Sequence, residues 1–591
     1  MPATWHIVVN KSVTFRPIGL RRPRRPAAGW LAASTAIALL AMAPLLAVLL
    51  VAGGSSDGLW PHLLAYVLPE AARQTILLLL GVGVLVIVLG TSLAWLVAAY
   101  DFPGRRVMEW ALLLPLAMPT YIVAFAYLDL LHPIGPVQTF LRAVLGVASA
   151  RDLHLPDIRS MPGCILLLGF VLYPYVYGTA RAAFLIQARG VIEAAHSLGA
   201  GRFATFFRIA VPLARPAVAA GASLALLEAL NDIGASEFLG VRTLTVSIYA
   251  TWVNRSSLAG AAQIALFMLA FVVILLLLER ALRRNGSYAD AEPGRLVPKR
   301  LTGAAGVLAA VACSLPIVIG FAAPALHLVN EASKRLQFAG LSPSLVEAIG
   351  NTASLAAVAT LVTLLLGLCV AATVRLAGGG LAAVLARTAS LGYAVPGTVL
   401  AIGLMMPLAT LDNAVDAFMR ATFGVSTGLL LSGSGAALVY AYLVRFLPLA
   451  VGGLEAGYAK LPKTLDDAAT TLGSSSGGLV LRVHLPLLWP ALFSAAALVF
   501  VDCVKELSAT LLLRPLDFET LATQLYGEAS RGTYEDGAIA ALLIVAVGFL
   551  PVMLLARLGR EGFQREREAT AAVIPEMPES GGFPAVREGV L

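Results

Sequence analysis

The chain has 591 residues, 59% of them hydrophobic and only 13% charged, with a mean hydropathy of +0.84. Soluble domains carry about 25% charged residues, so a soluble enzyme and a disordered chain are both excluded. The formal net charge is +8, and its distribution along the chain orients the molecule once the membrane spans are placed.

The elements predicted in chain order are apolar stretches close to the ~20 residues needed to cross ~30 Å of hydrocarbon. They fall at 28–52, 73–100, 107–131, 161–185, 211–232 and 258–279, then at 302–326, 350–374, 382–411, 430–454, 485–512 and 536–556. If each span reverses the side, Lys and Arg favour the side of the N-terminal tail by about three to one, which predicts that both termini are cytoplasmic. Arg21, Arg22, Arg24 and Arg25 could pass for a signal-peptide start. The apolar run after them is of full spanning length, so an uncleaved first helix is expected. Cys164, Cys313, Cys369 and Cys503 all lie in apolar stretches, without disulfide or zinc spacing, and read as small buried hydrophobes.

The chain repeats itself. "IEAAHSLGAGRFATFFRIAVPLARP" at 192–216 returns as "DDAATTLGSSSGGLVLRVHLPLLWP" at 466–490, without a gap. Shifted by 274 residues, Ala194, Ala195, Leu198, Gly199, Arg208, Pro212, Leu213 and Pro216 meet identical residues, and Glu193 meets Asp467. Shifted by 277, Gln74-Thr75 meets Asn351-Thr352, Gly90 meets Gly367, Pro119 meets Pro396 and Gly260-Ala261 meets Gly537-Ala538. The expected plan is an all-α polytopic protein of two tandem six-span halves, a parallel repeat because an even span number keeps both motifs on one side. Its parts are a basic cytoplasmic tail (1–27), a first half (28–284), a polar linker (285–300), a second half (301–558) and a cytoplasmic tail (559–591).

Each repeated interlude sits on the cytoplasmic side between the fourth and fifth spans. Glu193 to Leu198 are good helix formers with an acid placed early, where the helix dipole favours it. Gly199 should end that helix, a second short helix should follow around Phe203–Ile209, and Pro212 can sit in the first turn of the next span. The result is a short helix–turn–helix joined to a membrane helix, suited to act as a docking lever. A single copy could equally be an ordinary interfacial helix; two copies at matching positions favour docking.

Glu-Ala-Ala, three residues, Gly, then Pro thirteen later resembles the cytoplasmic coupling loop of bacterial binding-protein-dependent ABC importer permeases. Glu193, Ala194, Ala195, Gly199 and Pro212 match in the first half; Ala468, Ala469, Gly473 and Pro486 match in the second, with Asp467 in place of glutamate. The second spacer, "SSSGGL", lacks the bulk of "AGRFAT", so unequal engagement is expected. "KELSATLLLRPLDFETLATQLY" (505–526), "DIGASEFLGVRTLTVSIYATW" (232–252), "MPTYIVAFAY" (118–127) and "YAVPGTVLAIGL" (393–404) resemble the fused ferric-iron type, although Ser508 stands where that type commonly has proline. Fused thiamine permeases and some phosphonate or polyamine permeases share the plan. The resemblance implies the type I permease fold in a bacterial inner membrane. It also implies two copies of a separate ATPase subunit and a periplasmic substrate-binding protein as partners. No nucleic acid, cofactor or stable metal site is expected.

Ionisable residues within spans are costly and face a path or a partner. Glu228 and Asp232 are four apart, and at a shift of 274 they meet Asp502 and Glu506, with Lys505 beside them. Three readings stand: two facing acid pairs that line the pathway, a buried charge network with Lys505 as counter-ion, or outer-end contacts for Asp232 and Glu506. His132 and His154 read as surface residues, His196 and His484 occupy non-equivalent motif positions, and "YPYVY" (173–177) reads as packing. The chain has no GxxxxGK[ST] loop, so ATP hydrolysis is expected elsewhere. An ion-coupled secondary transporter is the rival of another class, and it leaves the paired motifs unexplained. A membrane-embedded enzyme lacks a clustered catalytic set.

Overall fold

The computed structural model describes residues 26–56, 58–147, 149, 156–187, 197, 199–284, 298–549 and 553. Among them, nine helices are long and apolar enough to cross a membrane, and two sharply bent helix pairs bring the number to eleven if each is counted as one span. The first half contains α1 (Pro26–Ala52), α2 (Leu59–Ala99), the bent α3 (Arg105–Ala117 with Thr120–Leu130), α4 (Met161–Gln187), α5 (Phe203–Asn231) and α6 (Leu258–Arg284). The second half contains α7 (Ala304–Phe338), α8 (Pro343–Ala377), α9 (Gly397–Phe423), α10 (Ala436–Ala459), the bent α11 (Ser476–Leu487 with Trp489–Val504) and α12 (534–549). Two residues of β-structure, Tyr100–Asp101 pairing in parallel with Lys299–Arg300, tie the end of the linker to the first half.

Two expected spans are corrected. The stretch 107–131 turns by 90° between Ala117 and Thr120, and 485–512 turns by 77° around Leu488 before ending at Val504. Pro119 has φ near −54° and an extended ψ of 145°, so the helix stops and restarts there. Hydropathy runs straight through such a break, because bending a helix leaves its apolar composition unchanged. The region 382–411 likewise divides at Val395 and Pro396 into Gly379–Ala389 and α9.

Four prolines elsewhere are absorbed within helices. Pro69, Pro212, Pro324 and Pro486 each follow a single π-turn, at Leu63–Val67, Phe206–Ala210, Val318–Ala322 and Val480–His484 respectively. Proline lacks an N–H and crowds the carbonyl four residues back; a wider turn relieves the second problem. The expected separate helix over Phe203–Ile209 is therefore corrected. Phe203 to Asn231 form one continuous helix.

The repeat is visible in the packing. A Cβ on Gly90 would lie 2.6 Å from the Cβ of Val176, and one on Gly367 would lie 2.8 Å from the Cβ of Ala450. These equivalent glycines let the second span of each half press onto the fourth. Thr75 accepts from Leu244 N at 3.0 Å, and its counterpart Thr352 accepts from Leu521 N at 2.8 Å. The repeated Gln/Asn-Thr pairs thus hold the outer helices Leu244–Arg255 and Leu521–Arg531 in equivalent places.

The first span of each half packs against the other half. α1 lies on α8, α9 and Gly379–Ala389, and α7 lies on α3 and α4. Ser34 Oγ donates to Thr373 Oγ1 at 2.7 Å, Tyr440 OH donates to Leu40 O at 2.8 Å, and Tyr127 OH donates to Ile319 O at 2.7 Å. A Cβ on Gly403 would lie 2.2 Å from the Pro44 carbonyl oxygen, so only glycine permits this approach. The two halves are thereby interlocked rather than merely adjacent.

Candidate translocation cavity and coupling surface

The five charged residues singled out in the fifth spans all line one cavity of about 120 Å³ at the seam between the halves. Its walls come from the α3 break (Pro119, Thr120, Tyr121), α4 (Tyr175), the turn before α9 (Tyr393), α10 (Arg445) and the ends of α5 and α11. The acids do not form two equal pairs on helix faces. α5 ends at Asn231 and α11 at Val504, so Asp232 and Glu506 lie beyond their helices. The four-residue spacing, which on an unbroken helix would put each pair on one face, therefore does not do so here.

That difference splits the four acids into two kinds. Asp232 Oδ1 accepts from Ser236 N at 2.8 Å and its Oδ2 accepts from Thr120 Oγ1 at 2.5 Å. Glu506 accepts from Ala509 N at 2.9 Å, Thr510 N at 3.1 Å and Thr510 Oγ1 at 2.6 Å. Both satisfy free N–H groups at the start of a short helix, Gly234–Phe238 and Ser508–Leu513, and so restart the chain in the middle of the protein. Glu506 also takes the Arg445 guanidinium at 2.9 Å, with side chains 2% and 12% exposed. Breaking such a pair from one side costs about 3–5 kcal/mol.

Glu228 and Asp502, equivalent in the repeat, stay within α5 and α11 and face the cavity. Tyr393 OH reaches Glu228 Oε1 at a long 3.3 Å, and Lys505 Nζ pairs with Asp502 at 2.7 Å. Three hydrogen bonds cross the seam here. They are Tyr393 to Glu228, Tyr121 OH to Lys505 O at 3.3 Å, and Ser508 Oγ to Asn231 O at 3.1 Å. Ser508, unusual for the resembled motif, is therefore an inter-half donor.

Arg445 falls inside the expected span 430–454 but was not singled out among its charged residues. It lies within α10, in "ALVYAYLVRFLPLAVGG" (437–453), and an arginine inside so apolar a run signals a buried partner. Its partner is 61 residues away, too far for any local pattern to name.

Of the repeated motifs, Glu193, Ala194 and Ala195 fall outside the described residues. Gly199 has φ +82° and its counterpart Gly473 φ +83°, a left-handed turn that glycine adopts without strain. The second copy is helix Lys463–Thr471, the Gly473 turn, then Ser476–Leu487, with Pro486 inside that last helix after its π-turn. Asp467 and Ala468 are exposed, Ala469 is buried, and Leu472 is 87% exposed. The neighbouring Asp466 does different work. Its carboxylate takes Arg375 Nε at 2.7 Å and faces His484 Nε2 at 2.9 Å, while Tyr458 OH meets His484 Nδ1 at 3.2 Å. Burial alone would raise the Asp466 pKa, but hydrogen bonds from Arg375 and His484 hold it below the usual carboxylate value. Exposed acid and leucine thus face outward from a helix whose other side is tied down.

Comparison with known proteins gives the same two-fold plan. The family described as the inner membrane component of binding-protein-dependent transport systems matches twice, over residues 86–285 and 363–561. The Fe(3+)-transport system permease protein FbpB 2 of Haemophilus influenzae is 26% identical over 492 residues, covering 82% of this chain and 89% of that protein. The ferric transport system permease protein FbpB of Actinobacillus pleuropneumoniae is 25% identical over 458 residues, covering 74% of this chain and 63% of its own length. The molybdenum transport system permease protein ModB of Escherichia coli is 28% identical over 228 residues, 96% of its length but 37% of this chain. That relative, nearly whole, aligns with 37% of the chain, a length close to that of one of the two family matches, as expected of a fused duplication. The chain belongs to the family of inner membrane components of binding-protein-dependent transport systems and is a two-half ABC importer permease.

Proposed function

We propose that this permease imports ferric iron, received from a periplasmic binding protein and driven by two copies of a separate ATPase subunit, with both termini cytoplasmic. The observation that carries the substrate is the seam cavity. Its charged lining is four carboxylates against Arg445 and Lys505, which favours a cation and repels an oxyanion such as molybdate. Its volume of about 120 Å³ suits a small ion, whereas pockets for small organic solutes begin near ~300 Å³. The ferric permeases that align across both halves support the same reading.

In this reading the two kinds of acid have separate duties. Asp232 and Glu506 hold the fold open as a frame. Glu228 and Asp502 offer hard oxygen ligands that suit trivalent iron. Contact must be transient, because conduction needs release, and Lys505 beside Asp502 competes with the ion. Asp467, Ala468 and Leu472 give an ATPase an acidic and apolar patch; Phe203 and Phe207, 82% and 64% exposed, supply the apolar part near the first motif. ATP-driven movement of the ATPases then enters through α5 and α11, the helices that carry Glu228 and Asp502.

The test is ATP-dependent Fe3+ uptake in proteoliposomes containing the full set of subunits. Glu228→Gln with Asp502→Asn is expected to lower uptake about tenfold or more while leaving ATPase association intact. Wild-type uptake unaffected by the double change, or a partner binding protein with no affinity for Fe3+, contradicts the reading.

A further inference from the structure

A second polar cluster shares no residue with the lining of the seam cavity. Asp129 at the end of α3, and His327 and Glu331 on one face of α7, bring their ligating atoms within 4.8 Å of one another. Asp129 belongs to the first half; His327 and Glu331, four residues apart, belong to the exchanged first helix of the second half. Asp129 Oδ2 and His327 Nε2 are 2.9 Å apart. Asn330 Nδ2 and Lys334 Nζ both reach the same oxygen of Glu331, Oε1, at 3.0 and 2.7 Å. The second oxygen of Glu331 can therefore ligate without displacing either donor.

The place suits an ion that arrives from water. His327 lies roughly 35 Å along α7 from its cytoplasmic start at ~1.5 Å per residue, beyond a hydrocarbon core of ~30 Å. The segment "NEASKR" that follows is polar. The side chains of His327 and Glu331 are 5% and 7% exposed, but Asp129 is 25% and Lys334 52% exposed, so the cluster opens on one edge. Nothing in the repeat demands it: the counterpart of Asp129, 277 residues on, is Met406, which is exposed. Burying an imidazole and two carboxylates together is costly unless something compensates their charge. Lys334, more than half exposed, pairs directly only with Glu331, and Asp129 faces His327.

We propose that Asp129, His327 and Glu331 form a binding site for a divalent first-row transition-metal ion at the outer seam between the halves. One imidazole with two carboxylates suits Mn2+, Fe2+, Co2+ or Zn2+; no thiolate is present to select copper(I), and the imidazole disfavours Mg2+ and Ca2+. Because the ligands come from both halves, the ion clamps α7 to α3. Arg335, also on α7, pairs with Asp536 of α12 at 2.6 Å, so the clamp would tie α7 to α3 beside its contact with α12. The inference is independent of the transported substrate.

Co2+ titration of the full chain in lipid nanodiscs, followed by the visible d–d absorption of cobalt, tests it. The expected result is saturation at one Co2+ per chain, displaced by Zn2+, with Zn2+ raising the melting temperature. His327→Gln keeps a hydrogen bond to Asp129 but cannot provide the imidazole; binding should weaken at least tenfold while the metal-free melting temperature stays near wild type. Asp129→Asn carries the same expectation should His327→Gln fail to fold, and Glu228→Gln in the seam cavity should bind cobalt like wild type. No stoichiometric binding by the wild type, or undiminished binding by a folded His327→Gln, overturns the proposal.

Discussion

The two copies of the repeated motif region have the same plan and are held by different forces. In the second half, the segment before α11 is fastened by Arg375, Asp466, His484 and Tyr458. At the equivalent positions the first half has Ala98, Ile192, Ala210 and Phe184. There the described fastening is aromatic: Trp95 packs edge-on to Phe184 with ring centroids 5.3 Å apart and against Phe206 at 5.7 Å. One duplicated backbone has thus been fixed once by a charge network and once by apolar packing. The difference teaches that, over the described residues, the two halves share a backbone plan rather than any particular side-chain chemistry.

Each predicted effect below attacks one side of that comparison. The largest is Phe184→Ala. Phe184 is 1% exposed, and removing a buried phenylalanine costs about 3–5 kcal/mol. Hydrogen exchange should rise around Phe203–Ala210 and stay unchanged in Lys463–Thr471. Arg375→Ala should do the reverse at about 3 kcal/mol, the low end for breaking a largely buried ion pair from one side. Its side chain is 9% exposed and that of Asp466 19%. His484→Gln, which preserves hydrogen bonding but loses any positive charge, should cost about 1 kcal/mol and loosen the same helix less.

The smallest effect is that of acid. The folded Asp466 carboxyl lies below its ordinary pKa, so its contribution is fully present above about pH 4 and fades as pH falls through the depressed folded value. Exchange in Lys463–Thr471 should therefore increase below pH 4 before that in Phe203–Ala210. Equal acid sensitivity of the two segments would remove the distinction.

Much of this architecture was legible in the residues. Hydropathy marks the spans because composition alone decides what can cross a bilayer, and the 274-residue echo exposes the halves because it needs no gap. The bends near Pro119 and Leu488 were not legible, since an apolar run reads the same straight or broken. Exchange of α1 and α7 was hidden for a similar reason: lipid and protein are equally apolar neighbours for a span. Glu228, Asp232, Asp502, Lys505 and Glu506 were found as a group, since charge within a span is rare. Their division into helix-start acceptors and cavity-facing acids depends on where α5 and α11 stop, which spacing does not tell. The motif alignment picked out Asp467, which is exposed, and passed over Asp466, whose partners are 91 and 18 residues away.

We propose that the two repeated segments are where ATPase subunits grip the permease. Co-purification of the ATPase with the permease carrying Glu193→Arg and Asp467→Arg together tests it most directly. The account predicts that the ATPase is lost from the membrane fraction and that transport stops, with each single change giving a partial and unequal loss. Undiminished co-purification with persistent transport in the double variant contradicts it.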